Sequence, residues 1–178
     1  MGETFAQKVL ARKAGLENVV PGQIVTLSPD HLLTHDNTAA IIGKIGDELG
    51  HYGIHDPEMP IIVLDHIIPA ASEKTATNHK KIREFVKEHG ISHFYDAGEG
   101  ICHQVVVEKG LALPGEILVG SDSHTCSYGA LGAFSTGIDR TEAAALLLRG
   151  EMWLKVPSSI KMTLKGSFKE GVYSKDLI

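Results

Sequence analysis

Apolar and polar positions alternate along this chain with two periods. Phe5, Val9 and Leu10 recur at helical spacing between Thr4 and Lys13, and Gly15 interrupts the pattern, so the first element is a short helix. "GQIVTL" is a β-branched run ended by Ser28-Pro29, which predicts a strand and then a loop. From Asp36 to Leu49 the helical period returns, with Ala40, Ile41, Ile45 and Leu49 on one side. "MPIIVLDH" is continuously apolar, the mark of a strand covered on both faces. It feeds "ASEKTATNHKKIREFVKEHG", which turns Ile82, Phe85 and Val86 inward, sets charges outward and stops at Gly90. "ISHFYDAGEG" predicts a second strand ending in glycines, "CHQVVVEKG" a short helix, and "EILVGSDSH" a third strand entered through the Pro114-Gly115 turn. Asp139 with Glu142 is a capping signal for a helix from Thr141 to Arg149. In "SIKMTLKGSF", Ile160, Met162 and Leu164 alternate with Lys161, Thr163 and Lys165, which predicts a last strand with one wet face.

Repeated strand-then-helix units of this length imply an α/β fold. The expectation is a three-layer α/β/α domain with a mainly parallel sheet, whose ligands bind at the carboxyl ends of the strands. The 178 residues, 43% of them hydrophobic, suffice for one core, so residues 1–178 are expected to form a single domain. A formal charge of −5 without a Lys/Arg cluster argues against nucleic acid or a membrane surface as partner and favours a small solute. No apolar run approaches a membrane span, and "MGETFAQKVLARKAG" lacks the apolar centre of a signal peptide, so a cytoplasmic protein is expected. Cys102 and Cys126 supply neither a disulfide framework nor a C-x-x-C pair, and each is expected to be a small apolar filler. Ser174 suits an N-cap, and Lys175 to Ile178 suit a first helical turn too short to be stable alone. The chain is therefore expected to be the N-terminal part of a longer one.

Three strands end in polar constellations: Asp65-His66, Glu99 through His103, and Asp122-Ser123-His124. A carboxylate beside an imidazole fixes its tautomer and raises its basicity, as a proton-transfer histidine requires. A single Asp-His pair is better read as a strand-end or helix cap. Three constellations on one rim reverse that preference in favour of acid-base work. Metal ligation by Asp65, His66, His103 and His124 ranks lower, because no i, i+4 pair or H-x-H spacing joins the histidines. The glycines from Gly132 to Gly137 have phosphate-loop spacing, but Ile138 stands where that motif needs Lys, so tight packing is favoured. G-x-S-x-G is absent around Ser121 and Ser123, which excludes a hydrolase elbow. His31, His51, His55, His79, His89 and His93 are expected to be mostly solvated.

"LDHIIPA" (64–70), "DAGEGICHQV" (96–105), "KGLALPGEILVGSDSHTCSYGALGAF" (109–134) and "WLKVPSSI" (153–160) resemble, in order, the aconitase superfamily. The resemblance is greatest to large subunits of the 3-isopropylmalate dehydratase and homoaconitase type. It implies a hydro-lyase that moves a hydroxyl between adjacent carbons of a 2-hydroxy di- or tricarboxylic acid. It also implies a 4Fe-4S cluster whose open iron acts as Lewis acid, beside histidine-carboxylate pairs that handle protons. Carried over by position, His66 would protonate the departing hydroxyl with Asp65 orienting it. Asp122 would pair with His103, His124 would contact the substrate hydroxyl or the iron-bound water, and Ser123 and His35 would bind substrate.

The same resemblance puts the cluster cysteines beyond Ile178, as a lone Cys followed by C-x-x-C, so no metal ligand is expected here. The serine base and several arginines are also expected elsewhere, the serine on a small swivelling subunit. This segment alone is then inactive, and its partners are that small subunit and the remainder of the large one. "GIDRTEAA" departs from the smaller residues common in the family, so isopropylmalate, homocitrate and dimethylmalate-type acids all stay open. A noncatalytic domain that binds an organic acid or a partner is the alternative.

Overall fold

Strands that lie side by side in one direction need helical crossovers, and the crossovers must cover both faces of the sheet. The computed structural model describes residues 2–177 and has this form. In chain order it contains α1 (Phe5–Lys13), β1 (Ile24–Leu27), β2 (His31–Thr34), α2 (Thr38–Ile42), α3 (Gly46–Tyr52), β3 (Pro60–Val63), α4 (Glu73–His89), β4 (His93–Tyr95), α5 (Cys102–Glu108) and β5 (Ile117–Gly120). A 3-10 segment (Ser123–Leu131), β6 (Phe134–Gly137), α6 (Arg140–Arg149), β7 (Met152–Lys155) and a 3-10 turn (Ser174–Leu177) complete it.

The main sheet is five-stranded in the order β4-β3-β2-β5-β6, all parallel. Side chains alternate across it as the two-residue strand period demands. Leu32, Ile62, Ile117 and Val119 face a core closed by Ile41, Ile82, Phe85, Ala143 and Leu147 from α2, α4 and α6. Leu33, Ile61, Val63 and Leu118 face a second core closed by Cys102, Val105 and Val106 of α5 and by Tyr128. The layers are therefore α/β/α. β1 pairs with β7 antiparallel in a separate two-stranded sheet. No helix is long and apolar enough to cross a membrane among the described residues.

Several expected elements are corrected. "HLLT" is a strand, β2, where the sequence pattern gave only loop; pairing with β3 and β5 on its two sides supplies what four residues cannot specify alone. "FSTG", expected as small-residue packing, is the edge strand β6. The helix expected from Asp36 to Leu49 is two short helices, with Ala40 exposed, because Gly43 caps the first and Ile45 leaves helical geometry. "SIKMTLKGSF" forms no strand: β1 takes β7 as its partner, and Ile160 stays 90% exposed. The expected terminal turn runs from Ser174 to Leu177, and Ile178 lies outside the described residues.

Candidate active site

The sheet order reverses at β2. The chain steps outward from β2 to β3 to β4, then returns to the other side of β2 for β5 and β6. Such a switch opens a crevice at the carboxyl ends of the strands, where successive loops diverge. Asn37 and Ser121 tie its two walls together: the Asn37 amide donates to the Ser121 carbonyl at 3.0 Å, and the Ser121 hydroxyl donates to Asn37 Oδ1 at 3.0 Å.

Asp36, just past β2, organises the loop after β3. Its Oδ2 accepts from the backbone N–H of Asp65 (3.1 Å) and His66 (2.8 Å), and its Oδ1 from that of Ile67 (3.3 Å). The Oδ1 also meets His79 Nε2 of α4 at 2.7 Å. Burial opposes the Asp36 charge, yet these donors outweigh it and hold the carboxyl below its ordinary range. The loop so fixed sets Asp65 Oδ1 at 2.6 Å from His66 Nδ1, while Asp65 Oδ2 accepts from the Cys102 N–H at the start of α5.

The second group forms after β5. Asp122 caps the 3-10 segment, and its Oδ1 accepts from the His124 N–H (2.8 Å), His103 Nε2 (2.8 Å) and His124 Nδ1 (3.1 Å). Burial by itself would raise the Asp122 pKa, but the His124 N–H and the two imidazoles bring it down to about 2. Its other oxygen lies 3.9 Å from His66 Nε2, so the two groups adjoin. His35 stacks on His66 with ring centroids 3.8 Å apart, and its Nδ1 is buried without a partner among the described residues. Burial, then the neighbouring His66, lowers the His35 pKa, against the raising influence of Asp65, Asp36 and Asp122.

Asp65, His66, His103, Asp122, His124 and His35 are thus brought to one edge, with Ser123 exposed beside them. Glu99 remains exposed in the loop before α5; of that constellation, His103 reaches Asp122 through its ring and Cys102 reaches Asp65 through its backbone N–H. Close packing of the glycines is observed: a Cβ on Gly137 would lie 3.0 Å from the Asp122 carbonyl oxygen. Two sets, His35 with Asp36, Asp65 and His66, and His103 with Asp122 and His124, have donor atoms within 4.8 Å of one another. In both sets the carboxylates already accept from imidazoles or backbone N–H groups, which suits proton handling over cation binding.

Residues 7–178 match the aconitase family (aconitate hydratase). The chain belongs to the aconitase family. It is 46% identical over its full length to the 3-isopropylmalate dehydratase large subunit 1 of Methanopyrus kandleri, covering 42% of that protein. It is likewise 46% identical to the 3-isopropylmalate dehydratase large subunit of Aquifex aeolicus, covering 41% of it. Over 148 residues, 83% of this chain, it is 48% identical to the probable methanogen homoaconitase large subunit of Methanosarcina mazei, covering 38% of that protein. The chain spans about two fifths of the length of the curated relatives it matches.

The residues of this aconitase-family chain do not fit a 4Fe-4S cluster, which needs several thiolates at one place. Cys102 is buried, and burial, then its neighbour Asp65, pushes its thiol up to about 12. Cys126 is exposed, which corrects the expected apolar filler, and its thiol faces the Ser123 carbonyl at 3.6 Å. Three members of the site have no local signal in the sequence. Asp36 is adjacent to His35 but pairs with residues far along the chain, His79 was expected in solvent and is 3% exposed, and Tyr128 lies under the second group.

Proposed function

We propose that this chain carries the acid-base edge of a hydro-lyase that moves a hydroxyl between adjacent carbons of a 2-hydroxy di- or tricarboxylic acid, of the 3-isopropylmalate dehydratase type. In this reading it is the N-terminal part of a large subunit that works with a small swivelling subunit. The observation that carries it is the meeting of Asp65–His66 with Asp122–His103–His124 at one strand edge, 3.9 Å apart at His66 Nε2 and Asp122 Oδ2.

The chemistry follows from the ring nitrogens. With Nδ1–H donated to Asp65, the His66 ring presents Nε2 to the crevice, where its proton can pass to a departing hydroxyl. Asp65 steadies the charged ring before transfer, and the same Nε2 takes a proton back on hydration. His124, anchored by Asp122 and 77% exposed at its side chain, reaches the substrate hydroxyl, and Ser123 and His35 bind substrate beside it. The 4Fe-4S cluster of the enzyme is held by residues outside this segment. The names of the relatives favour isopropylmalate, with homocitrate as the second substrate to try.

The test is anaerobic iron-sulfur reconstitution of the complete large subunit with its small subunit, assayed on both acids. His66→Ala is expected to lower kcat about a hundredfold or more with cluster content unchanged, the size of a lost general acid. Unchanged turnover would remove His66 from that role. Absence of both cluster and hydration in the unmodified complex would favour a noncatalytic organic-acid or partner-binding domain.

A further inference from the structure

Tyr128 is 1% exposed, packed in the core under α5, and its hydroxyl lies 2.9 Å from His103 Nδ1. The opposite ring nitrogen, Nε2, lies 2.8 Å from Asp122 Oδ1. A carboxylate can only accept, so Nε2 carries hydrogen; in the neutral ring Nδ1 is then an acceptor and the phenol its donor. The other tautomer would carry its hydrogen on Nδ1 and face Asp122 with a bare nitrogen. Tyr128 would then turn its O–H away from the ring, and among the described residues no other hydrogen-bond partner lies within reach of that oxygen. A buried hydroxyl without an acceptor is unfavourable.

We infer that Tyr128 is a positioning residue: its hydroxyl donates to Nδ1 and holds the His103 ring in the Nε2–H tautomer, aimed at Asp122. The groups facing His103 are Asp122, His124 with its ring centroid 5.9 Å away, and Tyr128 itself; Cys102 precedes it on α5 and is bound through its N–H to Asp65. Burial pushes the Tyr128 phenol up, which keeps it a donor. The consequence for catalysis rests on the proposed hydro-lyase reading, whereas the state of the His103 ring does not.

The experiment is nitrogen-detected NMR of the full chain with labelled histidine, His103 being assigned by the signals lost in His103→Gln. At neutral pH, Nε2 is expected to be protonated and Nδ1 bare. Tyr128→Phe, which keeps the packed ring, is expected to raise the ratio of the Nδ1–H to the Nε2–H tautomer of His103 about fivefold, the worth of one neutral hydrogen bond. A protonated Nδ1 in the unaltered chain would overturn the inference without any variant, and so would an unchanged ratio in a folded Tyr128→Phe. In the complete enzyme the same substitution is expected to lower kcat with KM unchanged. If the ring signals behave as expected and no hydration is found in any form, the function reading has failed and the role of Tyr128 stands.

Discussion

Asp36 accepts from three backbone N–H groups of the loop after β3 and from the buried His79 of α4, so its removal leaves all four donors without their acceptor. Asp36→Ala is expected to destabilise the fold by about 1–3 kcal/mol, the range for an unsatisfied buried donor. It is also expected to free the Asp65–His66 turn. Chemical denaturation measures the first effect, and amide exchange at residues 65–67 the second, since those N–H groups lose their protection. A loss of stability without faster exchange there would mean that Asp36 does not hold the turn. Asp65-His66 and Asp122-His124 were legible in the sequence because each carboxylate and imidazole stand together at the end of an apolar run. Asp36 and Tyr128 were not, because each acts on residues distant in the chain: 30 positions from Asp36 to His66, and 25 from His103 to Tyr128. His79 shows the same limit, since a polar side chain on an amphipathic helix is legible as buried only once its partner is known.

At the scale of elements, the crevice depends on how closely β5 meets the 3-10 segment that follows it. Gly120 ends β5 with its α-carbon against Thr125, and a Cβ there would overlap the Thr125 hydroxyl and lie 3.0 Å from its Cγ2 and 3.3 Å from Leu33 Cβ. Thr125 is fully buried and its hydroxyl donates to the Asp122 carbonyl at 2.7 Å, so it cannot yield without disturbing the turn that aims Asp122. Gly120→Ala is therefore expected to cost about 1–3 kcal/mol, as overpacking does. The shift should be visible as changed ring signals of His103 and His124, and unchanged signals would show that the turn absorbs the added carbon elsewhere. Long elements with strong punctuation were legible, as α4 between Ser72 and Gly90 and α6 behind its Asp139–Glu142 capping box show. Of the four-residue strands, β1, β3 and β5 were legible as apolar runs, whereas β2, β6 and β7 were not. β2 lacks any alternation of its own and is a strand because β3 and β5 flank it, while "SIKMTLKGSF" alternates well and remains unpaired.

Across the whole molecule, the burial that builds the crevice makes stability depend on pH in two separate windows. His35 has its pKa lowered, so as pH falls below 6.5 the unfolded chain takes up its proton before the folded chain does. Stability tied to His35 is full above 6.5 and declines as pH drops towards the lowered value. Asp122 behaves in the same sense at a lower range: its carboxylate is worth most above its ordinary 3.8, and that contribution is lost as pH falls through about 2. Asp36, also lowered, adds to the second window. Thermal melts between pH 7 and pH 2 are expected to show an upper decline that His35→Gln flattens and a lower decline that Asp122→Asn flattens. The two substitutions should act in their own windows, because one removes a buried imidazole that resists charging and the other a carboxylate held ionised by its donors. If His35→Gln left the upper decline unchanged, the stacked ring would not be the group that resists protonation. If Asp122→Asn left the lower decline unchanged, the donors on its Oδ1 would not be stabilising the charge, and the site would owe its acid sensitivity to Asp36 and the loop it holds.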